Sequence, residues 1–221
     1  MLIVHHLNHS RSQRVLWLLE ELELPYEIRF YERDPVTRLA PPSLRAVHPL
    51  GKSPVLVDGD VTVAETGAIV EYLVEKSGGR LRAEAGTPER RRWTYWTHFA
   101  EGSLMPQVLL DLVLTSAPGR APAPMREAAK AVTDGARQGY VAPNLKAMFD
   151  LVEEELGTSP WFAGEEFSAA DVMMSFPLET AGARGGAFEG RPRLAAFVER
   201  IHARPAYRKA LAKGGPYAYA E

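Results

Sequence analysis

The stretch "LIVHHLNHSRSQRVLWLLEELELPYEIRFY", Leu2 to Tyr31, decides the fold. Leu2–Leu7 is a short apolar run of strand type. Ser10–Leu22 carries Val15, Leu18, Leu19 and Leu22 at near-helical spacing. Tyr26–Tyr31, "YEIRFY", is a second strand. Strand, helix and strand within about thirty residues have the length of a βαβ unit. Its strands are then expected to pair in parallel through a right-handed crossover.

Working outward, a proline-rich segment "LAPPSLRAVHPLGKSP" leads into "VLVDGDVTV", where two β-branched runs flank Asp58-Gly59. That dipeptide between apolar runs predicts an antiparallel hairpin. Thr66–Lys76 reads as a helix stopped by Gly78-Gly79. The expected unit is a mixed four-stranded sheet with helices on its faces. From Pro88 onward only helical patterning remains. Thr87-Pro88 is a cap and first-turn pair, opening a helix expected over Pro88–Thr115. The breaker-rich "SAPGRAPAP" (Ser116–Pro124) is expected to be a loop. Met125–Leu156 is helical, with an interruption near Gly139 and Pro143. Three more helices are expected at Ala169–Gly182, Pro192–Ala203 and Pro205–Lys213. The change of character at residues 78–87 divides the chain into an α/β domain, residues 1–80, and an all-α domain, residues 87–221.

The chain has 221 residues, 46% of them apolar, and a formal net charge of -2. Such a chain can build a core, and its mixed charges provide no footprint for nucleic acid or an anionic membrane. It contains no cysteine, which excludes disulfides, thiolate metal sites and a cysteine nucleophile. No run approaches the ~18 apolar residues of a membrane span, and "MLIVHHLN" lacks the pattern of a signal peptide. A cytoplasmic protein is expected. His5, His6 and His9 cluster, but adjacent strand residues point to opposite faces, so His5 and His6 cannot grip one ion and no metal is expected. Ser168 and Asp171 have the spacing of a capping box, with Phe167 and Val172 placed as a hydrophobic staple. Asp171 is therefore expected to hold a helix end and not to react.

Five segments in order, "SRSQRVLWLLEEL" (Ser10–Leu22), "HPLGKSPVL" (His48–Leu56), "ETGAIVEYL" (Glu65–Leu73), "FSAADV" (Phe167–Val172) and "RPAYRKAL" (Arg204–Leu211), resemble a bacterial glutathione S-transferase. The resemblance spans the whole chain. It implies a thioredoxin-like N-terminal domain followed by a helical one, glutathione as co-substrate, a hydrophobic electrophile as second substrate, and a homodimer. It also implies conjugation, with reduction of organic hydroperoxides as a second activity. The alternative is a non-catalytic binding or stress-regulatory protein of the same fold.

Residue by residue, the resemblance implies that the Ser53-Pro54 bond is cis and that the backbone of Val55 pairs with the cysteinyl part of glutathione. On residue statistics alone a trans bond would be expected, since only ~5–6% of X–Pro bonds are cis. Lys52 would meet the glycyl carboxylate. Glu65 would pair with the γ-glutamyl amino group, and Thr66, where the family usually has serine, with its carboxylate. A helix N-terminus suits that role, and Thr66 could equally cap the helix. Tyr95, Met105 and Leu109 are candidates for the electrophile pocket. Glu101 and Ser103 are candidates for reaching a partner subunit.

Conjugation needs the glutathione thiolate. A thiol of pKa ~8.5 is about 3% ionised at pH 7, and lowering the pKa by ~2 units takes about 2.7 kcal/mol. A hydrogen bond to a charged group contributes ~1.5–3 kcal/mol and a helix N-terminus ~0.3–1 kcal/mol. One donor at the start of the first helix therefore suffices. Ser10 resembles the serine of the serine-type classes. Asn8 and then Ser12 are the alternatives. Ser10 and Gln13 also spell S-x-x-Q, a capping box.

Overall fold

The computed structural model describes residues 1–220. β1 (Leu2–Leu7), α1 (Ser12–Glu21) and β2 (Tyr26–Tyr31) form the βαβ unit, with β1 and β2 parallel and Leu7 opposite Tyr31. β3 (Val55–Asp58) and β4 (Val61–Ala64) form the antiparallel hairpin. Asp58 pairs with Val61, so Gly59 and Asp60 make the turn, and Gly59 takes φ +60°, which glycine adopts without a Cβ clash. The sheet order is β2-β1-β3-β4, with β1 antiparallel to β3. α2 (Thr66–Lys76) packs back on β3 and β4.

The remaining elements are helices: α3 (Pro88–Phe99), α4 (Met105–Arg120), α5 (Arg126–Ala136), α6 (Ala142–Glu155), α7 (Ala169–Gly182), α8 (Pro192–His202) and α9 (Pro205–Gly214). Thr87 caps α3 by accepting the Arg90 N–H at 3.1 Å. Single π turns at residues 100–104 and 137–141 join α3 to α4 and α5 to α6. Each contains a glycine followed four residues later by a proline, Gly102 with Pro106 and Gly139 with Pro143. Proline lacks an N–H and its ring crowds the carbonyl four residues back, which a widened turn accommodates.

Several helix ends differ from expectation. α1 begins at Ser12, so Ser10 lies outside it. The S-x-x-Q capping box is not formed: no side chain caps α1. Gln13 is instead buried with both amide atoms unpaired, its Oε1 directed at Gly214 of α9. Thr66 is the first residue of α2 and Glu65 occupies the cap position, so Thr66 is not the cap. α4 runs on to Arg120, through Pro118. So late in the helix Pro118 gives up only one backbone bond, and the chain leaves helical geometry at Ala121, which precedes Pro122 and is extended.

One hydrophobic core runs through both parts of the chain. α1 is its axle: Val15, Leu16, Trp17, Leu18 and Leu19 are all fully buried. α1 packs on α2 and β1 and also on α7 and α9, and Trp17 meets Tyr207 edge-on at 5.1 Å.

Candidate active site

The β-sheet register gathers most of the candidate residues at one end of the sheet. The Ser53-Pro54 bond is cis. Ser53 Oγ donates to the His5 carbonyl at 2.8 Å and accepts the Leu7 N–H at 3.2 Å. Its hydroxyl clips the loop to β1 and is spent there. Val55 begins β3 opposite both His5 of β1 and Ala64 of β4. Ala64 leads directly to Glu65 and Thr66. Lys52 and Glu65 are exposed, and neither side chain has a hydrogen bond or ion pair among the described residues, although the Glu65 carbonyl accepts the Ile69 N–H at 3.0 Å. Thr66 is buried, and as the first residue of α2 it offers an N–H with no intrahelical partner. Glu65 has φ 71° and ψ 126°, a conformation that costs a non-glycine residue about 1–3 kcal/mol and clusters at functional sites.

The loop between β1 and α1 adds the donor candidates. Asn8 is half-buried; its Oδ1 accepts the Arg33 N–H at 3.0 Å and its carbonyl accepts Arg33 Nε at 3.3 Å. Its Nδ2 has no partner among the described residues. Ser10 and Ser12 are buried, Ser12 completely. Their hydroxyls lie 2.7 Å apart, and Ser12 Oγ is also 2.8 Å from His6 Nδ1. Ser10 Oγ accepts the Ser12 N–H at 3.2 Å, a local turn in place of the expected capping box. His6 Nε2 lies 3.0 Å from the Gly214 carbonyl. Burial lowers the His6 pKa to about 4, against that hydrogen bond, so the ring is neutral at pH 7. His5 turns the other way, to the Tyr31 hydroxyl at 2.9 Å, as expected of adjacent strand residues. Among the described residues no group of three or more His, Asp or Glu side chains is placed to hold a metal ion.

Arg14 is buried beneath this loop. Its NH1 donates to the Met173 carbonyl at 2.6 Å, its NH2 pairs with Glu101, and its guanidinium lies 5.3 Å from the Phe176 ring centre. Arg11 approaches the other Glu101 oxygen at 3.6 Å. Burial opposes ionisation of Glu101, but Arg14 and Arg11 outweigh it and hold the carboxyl below its usual range. Glu101 thus serves its own chain, joining the sheet domain to the helices. Met105 is buried, whereas Tyr95 and Leu109 are about half exposed. A cavity of about 540 Å³ lies among α4, α6 and the end of α7, lined by Val108, Leu112, Phe149 and Arg184. It includes none of the sheet-end residues and none of Tyr95, Met105 and Leu109, so its place in the chemistry is unassigned.

The capping box at α7 forms. Asp171 is fully buried, accepting N–H groups from Phe162 at 2.9 Å and Ser168 at 2.8 Å and the Ser168 hydroxyl at 3.0 Å. Burial pushes its pKa up to about 6 despite those bonds. Phe167 packs on Trp17 and Trp161 beneath the Arg204 guanidinium.

The glutathione S-transferase N-terminal domain family matches residues 1–75, and the C-terminal domain family matches residues 123–205. The chain belongs to the glutathione S-transferase family. It is 39% identical over 182 residues to glutathione S-transferase 3 of Schizosaccharomyces pombe, covering 82% of this chain and 74% of that one. It is 34% identical over 216 residues to glutathione S-transferase 1 of Saccharomyces cerevisiae, covering 92% and 91%. A crystal structure of a glutathione S-transferase from Actinobacillus pleuropneumoniae superposes with a TM-score of 0.78 at 32% identity, covering 99% of this chain and 94% of that one.

For a glutathione S-transferase, three features of the site lay outside the sequence reading. They are the buried His6, the Arg33 contacts to Asn8, and the segment after α9. In that segment the Ala218 N–H donates to His9 Nδ1 at 3.1 Å, and Tyr217 donates to Glu179 at 2.5 Å. The Arg33 and Ala218 bonds join residues 25 and 209 positions apart. No local pattern signals them.

Proposed function

We propose that this chain conjugates glutathione to hydrophobic electrophiles, with reduction of organic hydroperoxides as a second activity of the same thiolate. The observation that carries the reading is the gathering of Lys52, cis-Pro54, Val55, Glu65 and Thr66 at the sheet end beside the β1–α1 loop. Lys52 and Glu65 provide unspent charges of opposite sign, matching a ligand with carboxylates and an amino group. Lys52 takes the glycyl carboxylate, Glu65 the γ-glutamyl amino group and the Thr66 N–H the γ-glutamyl carboxylate. Val55 pairs with the cysteinyl backbone. Ser53 contributes through the clip to β1, which sets the position of Pro54.

The thiolate is held by the β1–α1 loop, with Ser10, Asn8 and Ser12 as candidate donors. Attack on the electrophile forms the carbon–sulfur bond and expels the leaving group with its electron pair. The chain supplies no thiol of its own, so the sulfur is that of glutathione. We further propose a cytoplasmic homodimer without metal, nucleic acid or membrane as partner. Exposed Tyr95, Leu109 and Val113 along α3 and α4 support a protein partner on that face; no described helix is long and apolar enough to cross a membrane.

Calorimetric titration with glutathione and a conjugation assay with a chloronitrobenzene, on wild type, Ser10→Ala and Asn8→Ala, test the reading. Wild type is expected to bind glutathione and turn over. Binding without turnover across a panel of electrophiles and hydroperoxides would favour the non-catalytic alternative. No binding would sink both.

A further inference from the structure

The buried chain of hydrogen bonds from Ser10 to Gly214 has a direction, and proton counting fixes it. The Gly214 carbonyl can only accept, so His6 Nε2, 3.0 Å away, carries a proton. In the neutral ring Nδ1 then has a lone pair, and it accepts the Ser12 hydroxyl at 2.8 Å. The competing acceptor for that hydroxyl, the Leu7 carbonyl, is more distant at 3.3 Å. With its one proton spent, Ser12 Oγ can only accept, so the 2.7 Å bond to Ser10 is donated by Ser10. Ser10 Oγ, its own proton spent, also accepts the Ser12 N–H at 3.2 Å.

We propose that His6, acting through Ser12, is a positioning residue that turns the Ser10 proton inward, so that Ser10 meets bound glutathione with an oxygen lone pair. The inference rests on the transferase reading above and deepens it. A lone pair favours the protonated thiol, whereas a hydroxyl donor favours the thiolate. The donor that holds the thiolate then comes from elsewhere in the loop, where Asn8 Nδ2 and the backbone N–H groups of Ser10 and Arg11 have no partners among the described residues.

The test is a titration of bound glutathione followed by thiolate absorbance, on wild type, Ser10→Ala, Ser12→Ala and His6→Phe. Ser12→Ala removes the acceptor of the Ser10 proton and frees it to face the sulfur. The bound thiol pKa should then fall, raising the thiolate-to-thiol ratio roughly ten- to a hundredfold. Adding Ser10→Ala should cancel that gain, while Ser10→Ala alone should leave the ratio within about threefold of wild type. His6→Phe should act as Ser12→Ala does; if it fails to fold, Ser12→Ala alone decides. A structural role would not lower the pKa. If Ser10 already faces the sulfur with its proton, Ser12→Ala and Ser10→Ala should both raise the bound thiol pKa, and that outcome overturns the inference. So does an unchanged pKa in Ser12→Ala. Wild type that binds no glutathione by calorimetry overturns the transferase reading itself, a failure distinct from these.

Discussion

Ser10-x-x-Gln13 and Ser168-x-x-Asp171 have the same spacing ahead of two buried helices, yet only the second closes as a capping box. At α7 the partners are local: Ser168 and Asp171 satisfy each other, and the one distant participant is the Phe162 N–H. At α1 neither side chain caps the helix. Gln13 turns toward Gly214, and the Ser10 hydroxyl joins a line through Ser12 to His6, which is itself tied to Gly214. The difference teaches that a shared spacing does not make a cap: the Ser10 hydroxyl is committed to Ser12, and Gln13 is buried without a partner. The helix start that departs from the local rule is the one beside the proposed chemistry, where such departures are expected.

The largest effect should come from breaking the box that works. Asp171→Ala strands the Phe162 and Ser168 donors in the core, and unsatisfied buried groups cost about 1–3 kcal/mol each. A loss of about 3–5 kcal/mol in urea unfolding is expected, with glutathione affinity unchanged in the folded protein. A catalytic carboxylate would show the reverse.

The pH dependence of that same carboxyl should be next in size. Its folded pKa, about 6, lies above the ordinary ~3.9. Between those values the folded state binds the proton more readily than the unfolded chain. Stability measured relative to Asp171→Asn should therefore fall by about 2–3 kcal/mol as pH rises from 4 to 7, and then level off. A difference that rises over that range would contradict the assignment.

Ser168→Ala removes the cap alone and should cost about 1–2 kcal/mol in thermal or urea unfolding. The smallest change has the opposite sign. Gln13→Met replaces an amide that is buried and unpaired with an apolar chain of similar length, and should stabilise by about 1 kcal/mol. If Gln13 capped α1, the same substitution would destabilise.

The parts legible in the sequence are those whose causes are short-range. The βαβ unit follows from periodicity, the β3–β4 hairpin from Asp58-Gly59, and the Thr87 and Ser168 caps from side chains within three residues of their donors. The G-x-x-x-P spacing occurs at both wide helical turns, and an interruption is expected from the sequence near Gly139 and Pro143 alone. At Gly102–Pro106 it was submerged in an otherwise unbroken helical pattern. At the candidate site, the residue types at the sheet end came from a family resemblance, and the register of β1, β3 and β4 places Ser53, Pro54, Val55, Glu65 and Thr66 together. The strained backbone of Glu65 was not legible, because nothing in a glutamate signals positive φ. Nor were the His6, Arg33 and Ala218 bonds, which depend on segments that meet only after folding.

The attachment of residues near the end of the chain to the β1–α1 loop has a consequence for synthesis. Residues 1–80 leave the ribosome long before Gly214 and Ala218 exist, so the carbonyl that meets His6 Nε2 and the N–H that meets His9 reach the site last. A chain released before Gly214 would keep the sequence of every candidate glutathione contact and lose the carbonyl that orients His6. The order of translation thus makes the orientation of the Ser10 hydroxyl one of the last details of the site to be set.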